Sequence, residues 1–245
     1  MQLPLHTLLS LLAVGPTLVT AHATLISLSI AGQDQGKGAD KYIRAPATND
    51  PIRDLTSPNI ICNTNGGKPA PSFVKAAAGD KLTMRWWHYN PDDPNDYPLD
   101  PSHKGALLTY VAPYTTGDGQ GGIWTKIAED GFEGGKWATE KLIANNGNVE
   151  VTLPSALAAG RYLVRQEIVA LHQADFAGND PAHPGRGAEL YPGCAQVEVT
   201  GDGGKKPDQG FDFNKGYKYD DKGLHFNIYV PFDSYTPPGP RPWKG

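Results

Sequence analysis

The run RYLVRQEIVALH, residues 161–172, is the stretch that most clearly decides the fold class of this chain. It is rich in β-branched residues, which favour a long strand over a helix. Working outward, alternating or β-rich patterns predict further strands at residues 24–30, 81–87, 106–112, 148–153 and 188–199, with residues 124–131 either strand or short helix. Many short strands and few helix signals predict an all-β, two-sheet antiparallel sandwich with long loops and short helical segments.

Residues 1–21 have the form of a secretory signal peptide. Their apolar run, residues 8–14, is too short to span a bilayer and leads to a small-residue end, although no Lys or Arg precedes it. Cleavage after Ala21 and cleavage after Ala23 both fit, so the residues alone leave the mature N-terminus open. Residues 22–245 are then predicted to form one domain, without a low-complexity linker or a carbohydrate-binding module.

Charge and cysteine content narrow the class of protein. The formal net charge is −4, and nothing basic suggests nucleic acid or an anionic membrane as a partner. The two cysteines, Cys62 and Cys194, are predicted to form a disulfide, because the chain carries a secretory signal. Closing so long a loop would contribute roughly 4 to 5 kcal/mol in the chain-entropy model. We therefore expect a soluble, secreted protein.

A histidine at the start of a mature chain carries an α-amine and an imidazole on one residue. Cleavage after Ala21 would place His22 there, and its two nitrogens could form a chelate with Cu(II), which prefers nitrogen ligands in square or tetragonal geometry. His103 follows the proline-rich residues 90–102 and is the second candidate ligand. Because a lone histidine in a loop is more often structural, the residues alone leave both interpretations open.

Glu189 and Tyr191 lie two residues apart on a predicted strand, so their side chains share a face. The Tyr191 oxygen could occupy an axial position at a nitrogen-ligated copper, or Tyr191 could be a buried residue that bonds to backbone. His172 closes the long predicted strand and, taken alone, is interpreted as a core histidine. Spacing does not predict that His172 lies near Glu189.

Seven segments, in order along the mature chain, together resemble one known family. They are Tyr42-Ile43-Arg44, Asn49-Asp50-Pro51, Cys62-Asn63-Thr64-Asn65-Gly66, Ser102-His103-Lys104-Gly105, Arg165-Gln166-Glu167-Ile168-Val169-Ala170-Leu171-His172, Gly187-Ala188-Glu189-Leu190-Tyr191-Pro192-Gly193-Cys194 and Tyr235-Thr236-Pro237-Pro238-Gly239-Pro240. In these segments the chain resembles the fungal lytic polysaccharide monooxygenases of auxiliary-activity family nine, formerly glycoside hydrolase family sixty-one.

The resemblance implies an immunoglobulin-like β-sandwich that carries a copper "histidine brace" on a flat surface. It implies that the mature chain begins at His22, that His22 and His103 ligate Cu(II), and that Tyr191 is axial. By the same resemblance, His172 helps to order the oxygen species, and Tyr235 is the surface tyrosine that lies flat against a sugar ring. A packing role for Tyr235 is the alternative.

The implied activity is oxidative cleavage of β-1,4-glucan chains in cellulose, at C1 or C4, with hemicellulose as a further candidate substrate. An external electron donor and O2 or H2O2 complete the expected set of partners, and we expect a monomer. A conventional glycosidase with paired carboxylates is a rival that would require neither copper nor a reductant.

One residue departs from the family pattern, because Glu189 stands where the family usually has Gln. An ionised carboxylate only accepts hydrogen bonds, whereas a protonated one can donate. Glu189 could therefore have a raised pKa and donate a proton, or its charge could repel an anionic oxygen species and depress activity. The second possibility gives an alternative function, a secreted copper-binding protein with little or no oxygenase activity.

Overall fold

The computed structural model describes residues 22–115 and 117–245, and the predicted signal peptide, residues 1–21, lies outside them. The strands are β1 (Thr24–Ile30), β2 (Gln33–Lys37), β3 (Val74–Ala77), β4 (Lys81–Trp87), β5 (Gly105–Pro113), β6 (Thr125–Asp130), β7 (Phe132–Glu133), β8 (Lys136–Trp137), β9 (Asn148–Thr152), β10 (Gly160–Ala170) and β11 (Glu189–Thr200). Two short helices, α1 (Ala138–Ala144) and α2 (Phe213–Gly216), and a 3-10 turn at Pro58–Ile60 complete the elements.

Two sheets form the predicted sandwich. One sheet has the strand order β2-β1-β4-β9, and the other has the order β3-β11-β10-β5-β6. The all-β, two-sheet prediction is confirmed, and residues 124–131, predicted as either strand or helix, contain a strand. The pairing departs from a purely antiparallel sandwich at one edge, where β3 runs parallel to β11.

Strand β10 is buried on both faces, which explains why its sequence does not alternate. Tyr162, Val164 and Ile168 face the core between the sheets, together with residues of β1 and β4. Leu163 and Val169 face a second cluster that is covered by the 3-10 turn, α2 and the loops. A strand covered on both sides needs apolar residues at successive positions. None of the helices within the described residues is long and apolar enough to cross a membrane.

The predicted disulfide joins Cys62 and Cys194, whose Cα atoms are 5.3 Å apart. It attaches the long loop that contains the 3-10 turn to the middle of β11. The two residues are separated by 132 positions, so the bond restricts most of the unfolded chain.

Gly105, the first residue of β5, is packed too closely for any side chain. A Cβ atom at this position would lie 1.8 Å from the backbone oxygen of Val169 in β10. We expect Gly105→Ala to push β5 away from β10 and to lower the free energy of unfolding by roughly 1 to 3 kcal/mol, measured by chemical denaturation.

Gly204→Ala is the control, because a Cβ at Gly204 meets no described atom within 4 Å. Equal stability of the two variants would contradict the assignment of Gly105 as a close backbone contact.

Candidate functional site

Three neighbouring strands bring the candidate residues to one end of the larger sheet. Gly105 of β5, Ala170 of β10 and Glu189 of β11 lie opposite one another in the antiparallel register. His103 lies just before this row and His172 just after it. The amide of Leu171 donates to the carbonyl of Lys104 at 2.8 Å, which continues the pairing beyond the strands. Ligand atoms of His103, His172 and Glu189 therefore lie within 4.8 Å of one another.

Glu189 is the centre of this cluster. Its Oε2 lies 3.3 Å from Nε2 of His103, and its Oε1 lies 3.4 Å from Nε2 of His172. The hydroxyl of Tyr191 donates to Oε2 of Glu189 and also lies 3.1 Å from Nε2 of His103. The two imidazole rings are tilted against each other, with centroids 4.1 Å apart. The structure thus places four of the six predicted metal, catalytic and sugar-contacting residues in direct contact.

Opposite pKa shifts distinguish the two oxygen-bearing side chains. Burial, followed by the charge of Glu189, raises the pKa of Tyr191, so its phenol stays protonated and can donate. Burial alone would raise the pKa of Glu189, but hydrogen bonds from His103 and His172 outweigh that effect and hold the pKa well below its usual range. Glu189 is therefore ionised, opposite to the raised pKa that one of the two sequence alternatives required.

His22 lies at the same end of the sandwich, next to Asp50. Its Nε2 is 2.9 Å from Oδ1 of Asp50, and its Nδ1 is buried without a hydrogen-bond partner among the described residues. The negative charge of Asp50 also acts on Tyr191, where it adds to the effects of burial and Glu189. Leu25, in β1, packs against the backbone of Gly193 in β11. His22 is not a member of the three-residue group that contains His103.

The donor set fits a copper ion. A buried imidazole nitrogen without a partner is available on His22 within the described part of the chain, and Nε2 of His103 faces Tyr191 and Glu189. Ser102 Oγ lies 3.2 Å from Nδ1 of His103 and can accept its proton, so Nε2 could offer its lone pair to a metal in place of its present contacts with Glu189 and Tyr191. Nitrogen donors with one phenol oxygen suit Cu(II).

A sequence profile of Auxiliary Activity family 9 (formerly GH61) matches residues 22–236, nearly all of the described chain. The chain belongs to this family. It is 48% identical over 239 residues to AA9 family lytic polysaccharide monooxygenase A of Collariella virescens, covering 96% of this chain and 85% of that one. It is 44% identical to the namesake from Aspergillus terreus, covering 96% of this chain but 62% of that one.

Solved structures agree with the AA9 assignment. CvAA9A superposes with a TM-score of 0.86 at 50% identity, covering 91% of this chain and 98% of that one. Cel61B from Hypocrea jecorina, a glycoside hydrolase family 61 member, superposes with a TM-score of 0.76 at 28% identity, covering 91% and 100%. Curated relatives in this family are named as lytic polysaccharide monooxygenases, which are oxidoreductases.

Sequence reasoning missed Arg53, which donates to Oε1 of Glu189. Arg53 lies two residues beyond the Asn49-Asp50-Pro51 segment that supported the AA9 resemblance. A buried carboxylate requires a compensating charge, and this requirement is the only signal that points to a cation opposite Glu189. Linear spacing did not identify which of the many Lys and Arg residues supplies it.

The prediction that Tyr235 is a surface tyrosine is wrong. Its side chain is 8% exposed, and its ring packs edge-on against Trp137 and Phe226. Its hydroxyl donates to the carbonyl of Gly223 at 2.7 Å, and burial raises its pKa well above the usual value. The packing alternative therefore holds for Tyr235.

Tyr229, not Tyr235, is the exposed tyrosine beside the cluster of His103, His172, Glu189 and Tyr191. Its side chain is 67% exposed, and its hydroxyl donates to the backbone carbonyl of His172 at 2.9 Å. The two tyrosines lie in the same proline-rich tail, so sequence offered no signal to separate them.

We expect Tyr235→Phe to act on stability and not on substrate. Loss of the hydroxyl leaves the buried Gly223 carbonyl without that bond, which should lower the free energy of unfolding by roughly 1 to 2 kcal/mol. Thermal denaturation measures this cost, and a pull-down on cellulose should show unchanged retention. Weakened retention at full stability would restore the surface role of Tyr235.

Proposed function

We propose that this AA9 chain is a secreted, copper-dependent monooxygenase that cleaves β-1,4-glucan chains of cellulose at C1 or C4. The observations that carry this proposal are the cluster of His103, His172, Glu189 and Tyr191 and the partner-free Nδ1 of His22 within the described chain, whose neighbour Asp50 also acts on Tyr191. Copper at this position would supply the one-electron chemistry that an unactivated C–H bond requires.

The residues that would hold the metal are His22, through its α-amine and Nδ1, and His103, through Nε2. Tyr191, which keeps its proton, would offer its phenol oxygen as a weak further ligand. In the full chain the backbone nitrogen of His22 is an amide, so removal of residues 1–21 is a step in building the site. The α-amine has an ordinary pKa near 8, which makes deprotonation by a competing metal easy.

The overall reaction places one oxygen atom of O2 into a C–H bond and reduces the other to water. This balance requires two electrons and two protons, so an external reductant is needed; H2O2 would supply the oxygen without further electrons. The hydroxylated carbon then eliminates its glycosidic oxygen, and the chain breaks. His172, whose side chain is 13% exposed, lies beside Glu189 and offers an imidazole as a general acid or base.

Substrate contact is expected on the surface beside His172. Tyr229 presents an exposed aromatic ring there and is tied by its hydroxyl to the His172 carbonyl. An aromatic face packs well on the apolar face of a sugar ring. A surface position suits a crystalline polymer, which cannot enter a pocket.

The proposed activity is tested on protein whose first residue is His22, incubated with cellulose, copper and ascorbate. Mass spectrometry should detect oxidised oligosaccharides, and omission of the reductant or addition of a chelator should abolish them. A matched protein that retains Ala21 should bind copper weakly and release no oxidised products, because its His22 nitrogen is an amide.

Two outcomes would reject the proposal. Products that form without reductant and survive chelation would indicate a glycosidase with paired carboxylates. Tight copper binding without oxidised products would indicate the alternative function, a copper-binding protein in which Glu189 suppresses oxygenation.

Tyr229→Ala should weaken retention on cellulose by about tenfold, because the exposed aromatic surface is lost. Tyr229→Phe is the matched control, since it keeps the ring and removes only the hydrogen bond to the His172 carbonyl. Binding isotherms on microcrystalline cellulose measure both. If the Ala and Phe variants bind equally well, the ring is not a substrate contact.

A further inference from the structure

The ion pair between Arg53 and Glu189 joins the long loop to the first residue of β11, 136 positions away. Nη2 of Arg53 binds Oε1 of Glu189, whose side chain is almost fully buried. The other oxygen, Oε2, accepts from Tyr191 and lies 3.3 Å from Nε2 of His103. One carboxylate oxygen thus binds Arg53 and also lies 3.4 Å from Nε2 of His172, and the other faces the candidate metal ligands.

The backbone fixes this pair. Ile52 and Leu190 exchange two hydrogen bonds, of 2.8 and 3.0 Å, in an antiparallel bridge. Arg53 follows Ile52 in the loop, and Glu189 precedes Leu190 in β11. The two side chains therefore start from neighbouring positions of hydrogen-bonded segments. Nε of Arg53 is buried and has no hydrogen-bond partner among residues 22–115 and 117–245, so the contact with Glu189 is made by Nη2.

Charge explains why the pair matters for a metal. A carboxylate that is 4% exposed is costly unless a cation compensates it, and Arg53 is permanently charged. Its positive charge also acts on Tyr191, opposing the effect of Glu189 there. The Arg53–Glu189 pair therefore adds almost no net charge, although Glu189 replaces the neutral amide that the AA9 pattern usually has.

We propose that Arg53 is a positioning residue of the candidate copper site, which cancels the charge of Glu189 and turns its Oε2 toward Tyr191 and His103. This inference rests on the proposed function, since it concerns the field at the same site. Arg53 is a loop residue and not a metal ligand, yet under this proposal it controls how strongly the site binds a divalent cation.

Copper affinity provides the test. Charge compensation predicts that one single variant binds Cu(II) more tightly than the parent and the other more weakly, whereas loss of structure would weaken binding in both. Arg53→Gln leaves the carboxylate uncompensated and should raise the Cu(II) affinity about tenfold, whereas Glu189→Gln leaves the guanidinium uncompensated and should lower it about tenfold. The double variant and Arg53→Lys restore the balance and should bind within about threefold of the parent. Competition titration at pH 7 on protein beginning at His22 measures all four.

The spectrum of bound Cu(II) reports on orientation. Arg53→Gln should shift the electron paramagnetic resonance parameters, because Glu189 and its partner Tyr191 are no longer held. Arg161→Gln is the matched control, since it breaks the exposed ion pair with Glu198 and should leave both affinity and spectrum unchanged. Unchanged or lowered affinity of Arg53→Gln, or a double variant far from the parent, would overturn the proposal.

Metal-free protein separates this inference from the proposed function. Arg53→Gln should lower the melting temperature more in the parent than in the Glu189→Gln background, because only the parent is left with a buried, unpaired carboxylate. If the parent binds no copper, the proposed function fails. The pairing of Arg53 with Glu189 is still tested by this double-mutant cycle of melting temperatures. Equal losses in both backgrounds would reject the pairing.

Discussion

The antiparallel register across β5, β10 and β11 is the constraint on which the rest of the site depends. It aligns Gly105, Ala170 and Glu189 in one row, so that His103 and His172, just beyond the row, must meet Glu189. Hydrogen bonds of this kind allow no gradual adjustment, because a shift of one residue would turn every side chain to the opposite face. The absence of a side chain at Gly105 lets the strands approach closely enough to hold that register.

Electrostatic interactions then determine the charge states of the side chains around Glu189. A buried carboxylate surrounded by two imidazoles, a phenol and a guanidinium is held ionised, and burial together with the charge of Glu189 keeps the proton on Tyr191. An amide at this position would be neutral without help, whereas the charge of Glu189 is paired with that of Arg53. The cluster is therefore a compensated set of charges, in which removal of any one member changes the field at the others.

The loops add residues that the sheets cannot supply. The disulfide and the Ile52–Leu190 bridge attach the long loop to β11, which brings Asp50 to His22 and Arg53 to Glu189. The C-terminal tail contributes two tyrosines with opposite roles. Tyr235 packs under Trp137, while Tyr229 remains exposed beside His172.

Local chemistry in the sequence was enough for β1, β4, β5, β9, β10 and β11 and for the disulfide between the two cysteines, whereas β2, β3, β7 and β8 were not predicted. Through the family resemblance the sequence named His103, His172, Glu189 and Tyr191 as candidates, and the structure brings these four side chains into contact. Strand propensity and a single cysteine pair are local or countable properties, so they survive without coordinates. The pairing of Arg53 with Glu189 and the exposure of Tyr229 were decided only by tertiary structure. Both depend on contacts between segments far apart in the chain, and neither spacing nor composition encodes which distant residue will cover a side chain or neutralise its charge.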